Sequence, residues 1–219
     1  MKSSKTIVTY ALAGLVIIFI GSCNNLSGNQ SDLTDTLEPV EDVSLISGAD
    51  NATITVSKND SSYFNIELSN IASNDVIENT QLEGWCIDWQ KPINSNNSNY
   101  SGIKLYSTFK VEKWKQVNYL LNIKSKLLKD NPDMTWRDIQ AAIWSLRANP
   151  EFNIDKVAVK DLPSDMVENG HPKYNIDNVH QILDMIASNY GSFDFAKGTK
   201  FAIIAATPAD VQTVIAVAE

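Results

Sequence analysis

The sequence predicts an α+β domain, a β-sandwich or barrel-like body with an inserted helical segment. Three observations predict it. Short segments of alternating polarity come first, amphipathic stretches of helical period follow, and a second pair of strand-like segments comes last. Strands, then helices, then strands differ from the strict alternation that builds a parallel sheet. The 219 residues are 43% hydrophobic, which suits one domain with a real core. The formal net charge of -8 comes without any basic run, and that argues against nucleic acid, whose phosphates need clustered Lys and Arg.

The chain starts with a segment that looks like an address. Lys2 and Lys5 precede a nearly unbroken apolar run over residues 7–20, followed by Gly21, Ser22 and Cys23. A basic start, an apolar stretch of this length and small residues before a cleavage point describe a secretory signal. The run is short for a membrane-spanning helix, which needs roughly 20 apolar residues. Ile20-Gly21-Ser22-Cys23 resembles the bacterial lipobox. The resemblance implies cleavage of residues 1–22 and lipidation of Cys23, with acyl chains of the palmitate kind. The expected product is an exported lipoprotein, anchored at the outer membrane or cell surface through Cys23. Removing Lys2 and Lys5 makes the mature chain more acidic still. Residues 23–50, rich in Ser, Asn, Asp, Glu and Gly, read as a flexible tether, which leaves 51–219 as the domain.

Within that domain, residues 52–56 and 63–68 alternate and suggest a half-buried strand pair. Trp85, Ile87 and Trp89 alternate over 83–89, placing Gly84, Cys86 and Asp88 on the opposite face. Residues 94–101 (Asn-Ser-Asn-Asn-Ser-Asn-Tyr-Ser) read as a polar loop, and 103–109 as a further strand. From 111 to 129 the period changes: Trp114, Val117, Leu120, Leu121, Leu127 and Leu128 form one helical stripe. Asn131-Pro132-Asp133 ends it. A second helix is expected over 135–147, with Thr135 as N-cap and Asp138 three residues on, stopped by Asn149-Pro150. Residues 164–174 read as a loop and 179–188 as a third helix. Residues 201–206 and 211–218 form a closing hairpin around 207–210.

Once Cys23 carries lipid, Cys86 is a lone thiol in an exported protein. Such a cysteine is intermolecularly paired, reactive, or buried and inert. Two stretches bear on the choice: Trp85-Cys86-Ile87-Asp88, and Ile139-Gln140-Ala141-Ala142-Ile143-Trp144. Together they resemble the thioester domains of bacterial surface proteins, marked by an aromatic-Cys-aliphatic-Asp strand and a Gln-x-Ala-Ile-Trp helix. Val117-Asn118-Tyr119-Leu120-Leu121-Asn122 is similar to the intervening helix of that family. The match spans residues 80–147. One departure is Ile139, where many members have Thr. The resemblance implies a bond between the Cys86 sulfur and the Gln140 side-chain carbonyl, formed with loss of ammonia. It further implies single-use covalent attachment to an amine-bearing partner or small amine rather than enzymatic turnover, with no cofactor.

The residues agree with this on their own terms. At 100° per residue Gln140 lies about 40° from both Trp136 and Trp144, beside a stripe of Trp136, Ile139, Ile143 and Leu146. Ala141, Ala142 and Gly84 leave room for close approach. Trp85, Asp88 and Trp144 are the expected supporting residues, although the tryptophans Trp85, Trp89 and Trp114 are explained equally by a core. Two other readings stay open. One is a non-reactive binding or structural lipoprotein with an inert Cys86. The other is a cysteine hydrolase or transglutaminase, in which the loop residue His171 would serve Cys86. His180, among Val179, Ile182 and Leu183, suits a structural role. Two isolated histidines and one cysteine lack the spacing of a metal site.

Overall fold

The computed structural model describes residues 43–219. The signal segment, Cys23 and most of the expected tether lie outside the described residues. Nine strands and three α-helices make up the body: β1 (Ser44–Leu45), β2 (Ala52–Lys58), β3 (Phe64–Ser69), β4 (Gln81–Cys86), β5 (Asn96–Ser107), α1 (Lys115–Asp130), α2 (Trp136–Arg147), β6 (Val167–Glu168), β7 (His171–Pro172), α3 (Ile176–Asn189), β8 (Phe201–Ala206) and β9 (Val214–Ala218). Seven strands join in the order β1-β5-β2-β3-β4-β9-β8, and β5 also pairs with β8. All of these pairings are antiparallel. The sheet therefore closes on itself as a six-stranded barrel, with β1 attached to the outer edge of β5. The expected α+β, barrel-like body with a helical insertion is what the chain forms.

Closure depends on β5, which is longer than its sequence suggested. Residues 94–101 were expected as a loop, but Asn96 onward is strand, because every other polar side chain finds a partner on β2. Thr55 Oγ1 donates to Asn99 Oδ1 (2.7 Å), Ser57 Oγ to Asn97 Oδ1 (2.6 Å) and Thr53 Oγ1 to Ser101 Oγ (3.2 Å). The first part of β5 runs along β2, and the part from Lys104 to Ser107 runs along β8. Between them Gly102 sits at φ 72°, beside a register shift opposite Ala52 and Thr53. Glycine takes that left-handed conformation at little cost, and the bulge bends the strand from one neighbour to the other.

Two further boundaries move. Residues 43–50 belong to the body rather than to the tether: Val43, Ile46 and Ala49 are buried, and Ser44 and Leu45 pair with Ser107 and Tyr106. The strand expected over 83–89 stops at Cys86. The loop expected over 164–174 carries the small ribbon β6–β7.

Strand register places Ile54, Val56, Phe64, Ile66, Leu68, Gly84 and Cys86 on one face, with Leu105, Ile203, Ala205, Val214 and Ala216 joining them around the barrel. Trp85 points outward, where Lys124 of α1 lies over its ring and pairs with Glu83. Helix α1 is fastened to β8 by side-chain amides. Asn118 Oδ1 accepts the Ala202 N–H at 3.0 Å, while Asn122 accepts from Lys200 N–H (3.1 Å) and donates to its carbonyl (2.7 Å). Helix α2 starts at the expected Thr135, whose N–H donates to Asp138 Oδ2 (2.6 Å) while its hydroxyl accepts from Arg137 N–H. The other oxygen of Asp138 accepts the N–H of Asn175, the N-cap of α3, at 2.7 Å.

Gly84 shows how tight the barrel interior is next to Cys86. A Cβ there would lie 2.5 Å from Ile66 Cδ1 and 3.1 Å from Phe64 Cβ. Gly84→Ala is therefore expected to destabilise the domain by roughly 1–3 kcal/mol through overpacking. Urea unfolding of the two proteins checks this, and equal midpoints would contradict it.

Candidate functional site

Cys86 is the last residue of β4, and its hydrogen-bonding edge is only half used by the sheet. Ile87 N–H donates to the Thr213 carbonyl at 3.2 Å, so the main chain of Trp85 and Ile87 points toward β9 and that of Cys86 points toward β3. On that side β3 has already run out. Its register with β4 ends at Phe64 opposite Gly84, and Ser62 turns back to donate its hydroxyl to the Phe64 carbonyl. Both main-chain groups of Cys86 would be orphaned in a dry interior, at roughly 1–3 kcal/mol each.

Gln140 supplies what β3 does not. Its Oε1 accepts the Cys86 N–H at 3.0 Å, and its Nε2 donates to the Cys86 carbonyl at 2.8 Å. The side-chain amide thus behaves as one more residue of strand. Both residues are fully buried, at 0% exposure. The end of α2 is tied down in parallel: Asn149 N–H donates to the Ile87 carbonyl (3.0 Å), and Trp89 Nε1 to the Pro150 carbonyl (3.0 Å). Ala141 and Ala142, both buried, let the helix lie this close. The buried face of α2 is broader than a stripe, running without a break from Asp138 to Trp144. Trp136 and Leu146 are only half-buried.

Burial pushes the Cys86 thiol well above the ordinary thiol range. The Trp144 side chain and the main chain of Asp88 nearby oppose that shift, while the Asp88 charge adds to it. The ring of Trp144 stacks edge-on to Tyr63 (centroids 5.9 Å apart) and tilts against Phe152 (5.3 Å). Tyr63 also meets Trp136 at 5.7 Å. An aromatic wall thus separates Cys86 and Gln140 from solvent.

The structure brings together Cys86, Gln140 and Trp144, and puts Asp88 just past the strand end. Asp88 is buried, and its carboxylate pairs with Lys91 Nζ at 2.9 Å. Burial raises its pKa, against the pull of Lys91. Trp85 faces away from the site and packs under α1. His171 is exposed on the β6–β7 ribbon, and His180 pairs at the surface with Asp155 Oδ1 at 2.9 Å. Among the described residues no cluster of His, Cys, Asp and Glu could hold a metal ion, and no helix is long and apolar enough to cross a membrane.

Sequence reading missed Tyr63, Asp165 and Gln212. The Tyr63 hydroxyl donates to Asp165 Oδ1 at 3.0 Å across 102 positions of chain, a contact that no local pattern signals. These residues border a cleft of about 700 Å³, also lined by Lys58, Lys91 and Asp161.

No family model matches the chain, and no curated protein matches it. Among solved structures it is similar to the N-terminal thioester domain of the fibronectin-binding protein SfbI from Streptococcus pyogenes, with a TM-score of 0.42 and 12% identity, over 76% of this chain and 93% of that one.

Gln140→Ala leaves two main-chain groups of Cys86 unpaired, whereas Cys86→Ala keeps both hydrogen bonds. The Gln140 variant is expected to be the less stable of the two by roughly 3 kcal/mol. Equal urea midpoints would count against the amide's role as a strand substitute.

Proposed function

We propose that this chain is an exported, lipid-anchored surface protein whose Cys86–Gln140 internal thioester reacts once with an amine on a partner. The observation that carries the reading is the pairing of the Gln140 amide with the Cys86 main chain in a fully buried, aromatic-walled pocket. That pairing puts the amide of Gln140 against the residue that bears the thiol.

The chemistry balances simply. The Cys86 Sγ bonds to the Gln140 Cδ, the Cδ–Nε2 bond breaks, and the thiol proton leaves with the nitrogen as ammonia. The Cys86 N–H donates to the oxygen on which negative charge develops, in the manner of an oxyanion donor. A primary amine then attacks Cδ, Sγ leaves and takes up a proton, and the product is a secondary amide on Gln140. While the thioester stands, the Cys86 carbonyl lacks the donor that Nε2 supplied. The N–H of the product amide restores it, which favours an amine product at this carbonyl. The aromatic wall limits hydrolysis by keeping water out. The lipid anchor rests on the sequence pattern that ends at Cys23, and it puts the domain at a membrane surface.

A second reading, a non-reactive binding lipoprotein with an inert Cys86, draws on the complete burial of the thiol and the satisfied amide. Intact mass separates the two. The domain should be lighter than its sequence by one ammonia, methylamine should add to it, and Cys86→Ala or Gln140→Ala should abolish both effects. A full mass would sink the thioester and leave the inert reading.

The bond would also close a loop between residues 54 apart. On the chain-entropy account, a cross-link of that span contributes about 4 kcal/mol. Cys86→Ala should accordingly lower the melting temperature by several degrees in calorimetry, and an unchanged melt would show that no cross-link was lost.

A further inference from the structure

The cleft beside the aromatic wall contains an acceptor with nothing to accept from. Gln212 is 3% exposed, lines the cleft, and its Oε1 has no hydrogen-bond partner. Leaving such an oxygen dry and unpaired is costly. Its main chain is held in place: Gln212 N–H donates to the Pro92 carbonyl (3.0 Å), and its own carbonyl accepts from Thr207 Oγ1 (2.8 Å). Two more acceptors border the same cleft. The Tyr63 hydroxyl, on a residue 5% exposed, already gives its proton to Asp165 and lies beside the Gln212 side-chain amide, which leaves its oxygen one further lone pair. Asp165 itself is exposed toward the mouth. Of the two cations lining the cleft, Lys91 is committed to Asp88 and Lys58 is exposed.

We infer that this cleft is the entry site for a primary alkylammonium ion of the lysine side-chain class, held by the Asp165 carboxylate, the Tyr63 hydroxyl oxygen and Gln212 Oε1. An ammonium head has three N–H donors and no acceptor, which matches three acceptors of graded depth. Asp165 attracts the cation at the mouth, Tyr63 receives it at the wall, and Gln212 receives it at the floor. The Tyr63 ring also touches Trp144, which lies beside the Cys86 sulfur, so the cleft borders the ring pair that covers the thiol. The inference rests on the proposed thioester only for what the amine does after it arrives.

The test uses the Cys86→Ala protein, in which no acyl transfer can occur. Titration with cadaverine, followed by NMR, should shift the Gln212 side-chain amide, and 1-pentanol, the same kind of chain without the charge, should not. Adding Asp165→Asn, an exposed change that spares the core, should weaken cadaverine binding about tenfold. No shift at Gln212, or equal binding with and without Asp165, overturns the inference. Intact mass of the wild-type chain reports separately on the thioester. Binding of cadaverine by a wild-type chain of full mass would keep the cleft and discard the covalent chemistry, whereas a missing ammonia without cadaverine binding would do the reverse.

Discussion

The amide of Gln140 stands where β3 offers Cys86 no partner, and the arrangement around it follows from that substitution. Because the amide completes the edge of β4, α2 must lie at hydrogen-bonding distance from a strand, closer than side chains of ordinary size allow. Ala141 and Ala142 are small for that reason, while Gly84 makes room for Ile66 and Phe64 inside the barrel. The helix is then pinned at both ends, by the Asp138 bridge to α3 at its start and by Asn149 and Pro150 against Ile87 and Trp89 at its finish. Asn118 and Asn122 serve α1 and β8 in the same manner. The barrel is thus joined to its helical insertion by side-chain amides that imitate backbone, and apolar packing fills the space between them.

This dependence makes the environment of Cys86 unusually determined. Both of its main-chain groups are paired by one amide, its sulfur lies beside an indole, and Tyr63, Trp136 and Trp144 cover the pair. A neutral thiol is what such surroundings favour. They also hold an otherwise unremarkable glutamine in one orientation, with its oxygen on the Cys86 N–H.

Much of this was legible in the sequence. Period alone located the three helices, the hairpin near the end and the first strand pair, since each buries one face against a common core. Thr135 and Asp138 announced the start of α2 through cap chemistry that acts over three residues. Gln140 stood out as a polar side chain on an apolar face. What sequence could not supply was pairing at a distance. The Asn and Ser run at the start of β5 looks like a loop until β2 lies beside it and fills every second hydroxyl and amide. Strand β4 ends at Cys86 because Ser62 turns away, a fact about a different segment. Tyr63, Asp165 and Gln212 converge from three separate stretches, so none carries a local signal. Trp85 was grouped with the site by adjacency, although alternation along the strand sends it to the other face.

The register of β9 carries a consequence for timing. Val214, Ile215 and Ala216 form the partner edge of Cys86, Trp85 and Gly84, so the wall behind the thiol comes from a segment made long after both Cys86 and Gln140. Contacts of such sequence separation form late, because a long loop must be closed first. Until they do, Cys86 is an ordinary solvent-bathed thiol and Gln140 an ordinary amide. The enclosed arrangement around Cys86 and Gln140 is therefore a property of the finished barrel and of no earlier stage.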